Sequence, residues 1–507
     1  MLKKQLFILL CCLLGTSFCK AQQIIFSEPL KEDIKDITFD IIGKMANNNI
    51  PILKNLRWKY GLNIYDDTMN LKSDINLDFL PSKTLNVDYV GNADHFYLIY
   101  QFQKKGILHC MQAKFDSDGK MDSTAIELDT TKIETFGENK IYSVIKSDDK
   151  QKIMVFKIQK IDGNLNFLTL LYNNQMQLLK KSRLQIEYNS RYDVYNDFVL
   201  DNTGNLIFTG SRDENKKRNK TVLYILCKPY NKDAFTTKKM ILDSVVLADV
   251  KLKIDNVNKQ YLITSFYAAE NGNNIDGIFT SIWSEQLDSL KAITYNILND
   301  SIRSIAKKSG SNKSIFNDFE IRNIILKKDG SFVLTAEYYV SQNQGNNLIR
   351  SNRNDFWTVS PNAYYFNDPY AWGSIYNPSR NFTNQVQNIR YYYENILILN
   401  FTKDMDIAWS QVIAKQQTSD DNDIHLSYNT FNTTEGIHFI YNNISKRDKL
   451  LLDNIVASNG TVKRSPSLKT FEKEYEFMPR FSKQISQRQV IIPVTLRNRL
   501  CFAKVYF

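Results

Sequence analysis

The chain has 507 residues, 43% hydrophobic and 12% aromatic, with a formal net charge of +11. That aromatic content excludes a disordered chain, and the length holds a large core or two to four average domains. The lysines are scattered apart from one cluster, "ENKKRNK" (214–220), and no recognition motif accompanies them, so a nucleic-acid partner is excluded too.

Residues 1–21 read as a signal peptide. Lys3 and Lys4 precede an apolar run, Leu6–Leu14, and Cys19-Lys20-Ala21 offers a small-x-small cleavage site. Acylation at Cys19 is disfavoured by Phe18, where a small residue is expected. Cleavage takes the formal charge to +8. No later run approaches the roughly 18 apolar residues of a spanning helix. The expected product is an exported chain, 22–507, in the periplasm or at the outer membrane, with peripheral or no membrane contact; secretion is the alternative. Cys110, Cys227 and Cys501 remain, odd in number and far apart, and read as small buried hydrophobes rather than a disulfide framework.

From there one unit recurs. A turn rich in Asp, Asn, Gly or Lys leads into an apolar, β-branched strand, as in "GNADHFYLIYQF" (91–102), "DNTGNLIFTGS" (201–211) and "KKDGSFVLTAEYY" (327–339). A second apolar strand follows, then a turn such as Asp116–Lys120 or Thr402–Asp406, then a polar outer strand. These inner strands centre near 51, 97, 154, 207, 262, 334, 439 and 491. Most gaps are about 46–57 residues, with two longer ones near 72 and 105. The spacing predicts an all-β fold, a single β-propeller domain of eight four-stranded antiparallel blades. Seven blades, with the first 90 residues as an appendage, is the alternative. The last unit supplies only three strands before Phe507, and "QIIF" (Gln23–Phe26) is the fourth, so the two chain ends close the ring. An outer-membrane barrel fits less well, since it needs alternating strands of about 9–11 residues.

"TFDIIGKMANNNIPILK", "FVLTAEYY" and "YYYENILILNFTKDMDIAWSQVIAKQQ" resemble an uncharacterised family of exported, propeller-like proteins from Bacteroidota. The resemblance is strongest over about 320–445. It implies a Gram-negative envelope location and supplies no catalytic residues.

Chemistry leaves few traces. The four histidines (His95, His109, His425, His438) form no metal-ligand pair, and no nucleophile elbow or phosphate-binding glycine loop occurs. His95 and His438 sit at corresponding strand starts and read as structural. No cofactor is called for. Calcium is the one candidate, at "DSDGKMD" (116–122) or "DDND" (420–423), neither of which matches a twelve-residue calcium loop. Paired carboxylates from different blades stay open as a carbohydrate-active or metal-assisted hydrolase.

The long gap holds an insertion at about 342–388, between the second and third strands of one blade. Within it, "RSNRNDFWTVSPNAYYFNDPYAWG" (350–373) has neither strand nor helix periodicity. A loop of that size is functional or disordered, and its aromatics argue against disorder. Trp357, Tyr364, Tyr365, Tyr370, Trp372 and Tyr376 are the candidate binding residues, with large rigid faces and polar tips. They cap the propeller, or contact an envelope protein or a glycan. The expectation is a non-enzymatic protein-binding or scaffold module, accessory to an outer-membrane transport or secretion complex.

Overall fold

The structure is a computed structural model that describes residues 23–507, apart from 58, 83, 134–140, 189–192, 214–220, 243–244, 270–273, 287–288, 307–311, 344–347, 350–388, 421, 445–448 and 466–474. Eight antiparallel sheets follow one another along the chain. The first takes Ile37–Ile41, Ile50–Leu56, Lys59–Tyr65 and Leu71–Asn76 in that spatial order. Four more four-stranded sheets fill 84–132, 142–187, 193–241 and 245–297, and the sixth and seventh fill 319–413 and 428–464. In the eighth, Arg499–Tyr506 lies between Gln489–Leu496 and Gln23–Phe26. The N-terminal strand is thus the outer strand of the last blade, Gln23 facing Tyr506 and Phe26 facing Ala503.

The fold is an eight-bladed propeller, closed by both ends of the chain as the spacing predicts. The seven-bladed alternative fails because residues 37–76 form a complete blade rather than an appendage. One detail of the repeat is corrected. The apolar strand after each turn is the second of its blade, not the innermost. The first strands touch one another around the centre: Asp193–Leu200 lies against Tyr142–Lys146 and Val245–Asp255, and Val245–Asp255 against Phe319–Leu326. Their polar, interrupted sequences hid them.

Every blade junction has its own apolar core, because the second and third strands are covered on both faces. Phe39 meets Phe502 edge-on at 5.5 Å between the first and last blades. Phe167 stacks on Phe208 at 5.6 Å between the third and fourth. The other six junctions repeat the arrangement, with Leu62 and Phe115, Cys110 and Leu170, Ile225 and Tyr261, Ile282 and Phe332, Ile398 and Phe439, and Ile440 and Ile492. Each such buried side chain contributes about 1.5–3 kcal/mol, so the ring is held at eight comparable seams. The three cysteines are buried in third strands, as read.

One face carries a repeated tight turn. In Asp116–Lys120, Asp201–Asn205 and Thr402–Asp406 the fourth residue donates its amide to the first carbonyl and has positive φ (Gly119 81°, Gly204 99°, Met405 68°). This is the three-residue hairpin loop whose left-handed position favours glycine. The opposite face carries the connections between blades and between second and third strands. It also carries a short helix, Asp300–Ala306, and the Asn343 and Ile389 ends of the sixth blade's second and third strands.

Candidate functional site

The sixth blade builds a platform on that second face. Its second strand, Phe332–Asn343, and third strand, Ile389–Phe401, are the longest among the described residues. They pair within the blade up to Glu337 and Ile396, then break register and pair again from Tyr339–Tyr393 to Asn343–Ile389. Two short strands flank this extension, Leu348–Ile349 beside the second strand and Gln417–Asp420 beside the third. The range read from the sequence as an insertion, about 342–388, takes in Gln342, Asn343 and Leu348–Ile349 of this extension, and its other residues lie outside the described ones. Trp357, Tyr364, Tyr365, Tyr370, Trp372 and Tyr376 lie outside the described residues, as do residues 1–21, read as a signal peptide, and the 214–220 cluster.

An ionic cluster lies at the register break. Glu337 is fully buried, and its Oε1 sits 2.7 Å from Nζ of Lys415, itself 1% exposed. Its Oε2 accepts from Arg322 Nε at 3.2 Å and from Ser427 Oγ at 2.6 Å. Arg322 also pairs with Glu320 at 2.7 Å. Nearby, Tyr393 donates its hydroxyl proton to Asp423 Oδ2 at 2.6 Å and accepts from Arg480 Nη1 at 2.9 Å. Arg480 binds both Asp423 oxygens, at 2.8 and 3.1 Å. Arg322, Lys415 and Arg480 each lie 5.8 Å from the centre of the Tyr393 ring. Three cations and three carboxylates therefore balance around one buried tyrosine.

Burial sets the titration of these groups. It pushes the Lys415 ammonium down, and the Glu337 carboxylate only partly offsets that. Burial pushes Asp423 up, but the Arg480 guanidinium and Tyr393 hydroxyl outweigh it and hold the carboxyl below its ordinary range. Burial raises the Tyr393 phenol well above its ordinary value, against the pull of Arg480. Proton transfer by any of these carboxylates requires breaking an ion pair. The cluster is suited to fixing the platform on the blade.

Polar side chains continue around the centre. Asp197 and Asp249 stand at bulges of two successive first strands, with φ of 55° and 63°. Each reaches forward to the next blade: Asp197 Oδ2 accepts the Leu252 amide and Asp249 Oδ2 the Ile321 amide, both at 2.8 Å. Asn323 donates to Thr430 Oγ1 at 3.0 Å, and Asn429 to the Ser482 carbonyl at 2.7 Å. Lys483 closes the series on the Ile41 carbonyl at 2.7 Å and the Tyr89 hydroxyl at 2.8 Å. Burial raises the Asp197 carboxyl to about 6, although Lys251 and the Leu252 amide oppose the shift.

The other candidates are spread out. His438 is buried between Asp453 (3.0 Å) and Thr433 (2.9 Å), stacked on Phe431 at 4.5 Å. His95 bonds Asp94 at 2.7 Å, His109 bonds Glu127 at 2.7 Å, and His425 takes the Phe477 carbonyl at 3.0 Å. In the first acidic segment Asp116 accepts the Asp118 and Lys120 amides, both at 2.9 Å, and Asp122 pairs with Lys114 at 2.8 Å. In the second, Asp420 pairs with Arg390 at 2.7 Å and Asp423 with Arg480. Among the described residues no group of three or more His, Cys, Asp or Glu is placed to hold a metal ion. None of their helices is long and apolar enough to cross a membrane.

Sequence reading missed the ionic cluster. Its one visible signal was Glu337, a charge inside the otherwise apolar "FVLTAEYY".

No protein-family model matches this sequence, and no curated protein matches it. Solved structures do resemble it. The WD40 domain of SCAP from fission yeast is 10% identical, with 96% of this chain and 98% of that one covered and a TM-score of 0.41. Prolyl oligopeptidase B from Galerina marginata is 9% identical over 94% of this chain and 56% of its own, at 0.40. A protein of unknown function from Dyadobacter fermentans is 7% identical over 84% and 95%, at 0.30. At these identities the likeness is one of fold alone.

Proposed function

We propose that this propeller is a non-enzymatic binding module, located in the cell envelope, that takes a protein partner on the face carrying the sixth-blade insertion. The observation that carries the reading is the platform. A blade that only closed a ring would not extend its two central strands, flank them with two more, and anchor them on a buried ionic cluster. Rigid strands are the scaffold on which a binding segment is best presented. The carboxylates at its base are committed to cations, which suits support better than turnover. The aromatic composition of 350–376 suits the centre of a protein interface, where Tyr and Trp are enriched. A glycan is the other ligand such rings would accept. An exported chain also fits an accessory role in an outer-membrane transport or secretion complex.

The test is a pull-down from envelope extract. Replacing residues 344–388 by a two-residue turn keeps the Asn343–Ile389 pair at hairpin spacing. The altered chain is expected to fold and to lose its partner. Recovery of identical partners by both forms would remove the insertion from the binding site.

A hydrolase reading has one observation in its favour. Asp197, raised to about 6, lies close enough to Asp249 to feel its charge, and acids poised near the working pH serve as general acids. Asp197→Asn separates the readings: loss of a hydrolytic activity toward a panel of envelope glycans would favour the enzyme.

A further inference from the structure

We propose that closure of the ring and placement of the sixth-blade platform are coupled through the connection between the sixth and seventh blades, 414–427, so that the binding face is set only once the N-terminal segment has docked. The proposal rests on the platform being that face. Gln23–Phe26 is hydrogen-bonded, not chain-linked, to the rest of the last blade. The residues after it run along that blade's third strand. The Leu30 amide donates to the Leu500 carbonyl at 2.7 Å, and the Ile34 amide to the Asn498 carbonyl at 2.8 Å. This docking alone closes the ring, so it separates an open state from a closed one.

The core of the closing seam holds a residue foreign to both of its blades. Leu30 and Ile34 pack there with Phe39 of the first blade and Phe502 of the last, and Ile424, 5% exposed, is buried with them. Ile424 belongs to the connection that also carries Gln417–Asp420, the strand flanking the platform's third strand. An isoleucine that finds its apolar surroundings only in the closed ring favours one course of that connection when the ring closes.

Polar contacts from the last blade brace the same connection. Asp423 is held by both Nη atoms of Arg480, at 2.8 and 3.1 Å. The His425 ring lies 3.0 Å from the Phe477 carbonyl and 3.3 Å from the Glu476 carboxylate. Arg480 sits in the short turn Pro479–Phe481, and its neighbour Phe481 meets Phe39 edge-on at 6.3 Å across the seam. The same guanidinium donates to the Tyr393 hydroxyl of the platform at 2.9 Å. One turn thus touches the closing seam and the platform at once. An undocked N-terminal segment removes packing that seats Phe481 and Ile424, and with it the brace on Gln417–Asp420. Contiguous packed side chains and ion pairs with two arrangements carry coupling of this kind.

Hydrogen exchange of the purified chain, read by mass spectrometry, tests this. Ile34→Ala loosens the docked segment, and Ile153→Ala, in the core between the second and third blades, is the control. Ile34→Ala is expected to speed exchange at 389–393 and 417–420 by at least about fivefold, the lower end of coupling between sites. Ile153→Ala, distant from the platform, should leave it within about twofold. Ile424→Ala cuts the link on the platform's side and should reproduce the first result. Ile34→Val, which keeps most of the packing, should show the same pattern at smaller amplitude, so the test survives a poorly folded alanine variant. A platform unchanged by Ile34→Ala or Ile424→Ala, or changed equally by Ile153→Ala, overturns the proposal. The pull-down keeps the two readings apart. Unchanged exchange, with the partner lost on replacing 344–388, sinks the coupling and leaves the binding face standing. Coupled exchange, with identical partners recovered, retains the coupling and removes the insertion from the binding site.

Discussion

Lys415→Met is the sharpest probe of the sixth blade. It removes the ammonium 2.7 Å from Glu337, a carboxylate with no exposure, and puts an apolar chain of similar length in its place. Taking away one member of a buried pair leaves a charge that water cannot reach, at a cost of about 3–5 kcal/mol. Arg322 and Ser427 still reach the other carboxylate oxygen, so the lower figure applies, about 3 kcal/mol. Unfolding entropy of about 2.1 cal/mol/K per residue gives this chain roughly 1 kcal/mol/K. The melting point should therefore fall by about 3 °C if the ring unfolds as one unit. Differential scanning calorimetry reads both the shift and the cooperativity. Adding Glu337→Gln should recover most of the loss, since the pair costs desolvation to keep. Arg390→Ala breaks a half-exposed pair with Asp420 and should shift the melting point by less than about 1 °C. If Lys415→Met and Arg390→Ala prove equivalent, the cluster is not dry and does not anchor the platform.

Three further outcomes follow from burial and closure. The Asp197 carboxyl is raised to about 6, from 3.8 unfolded. Its contribution to stability is therefore fully present below about pH 4 and lost as the pH rises through 6, by about 3 kcal/mol. Denaturant titrations across that window should show the wild type losing stability relative to Asp197→Asn as the pH rises; equal slopes would place the titration elsewhere. Burial pushes the Cys227 and Cys501 thiols up to about 12, so both should resist alkylation at pH 8 until denaturant is added. Labelling of either in the native chain contradicts their packing. Deleting 22–27 removes the outer strand of the last blade and bares the Arg499–Tyr506 edge. The truncated chain should melt lower and aggregate, as light scattering would register, whereas unchanged behaviour would mean that closure does not depend on that strand.

The fold was legible because propeller physics writes itself locally. A strand covered on both faces is largely apolar along its length, and "HFYLIY", "GIFTSIW" and "ILILNF" are, each with only one or two polar residues. A three-residue hairpin loop needs a left-handed residue, and the Gly and Asn turn signals mark it. Even closure could be read, because a last unit short of one strand called for "QIIF". The inner strands were less visible. Their bulges and polar residues, Asp197, Asp249 and Asn323, make sense only against the neighbouring blade.

Sequence alone also marked where the regular repeat is interrupted, by the length of one connection and its aromatic content. It could not assemble the cluster beneath that connection. Glu320, Glu337, Lys415, Asp423 and Arg480 are strung over 161 positions of the chain. Only the winding of the sixth, seventh and eighth blades brings them to one tyrosine. Strand, turn and repeat depend on neighbours along the chain, so they are written in order. Ion pairs and free edges depend on which blades meet, and the closed ring decides that.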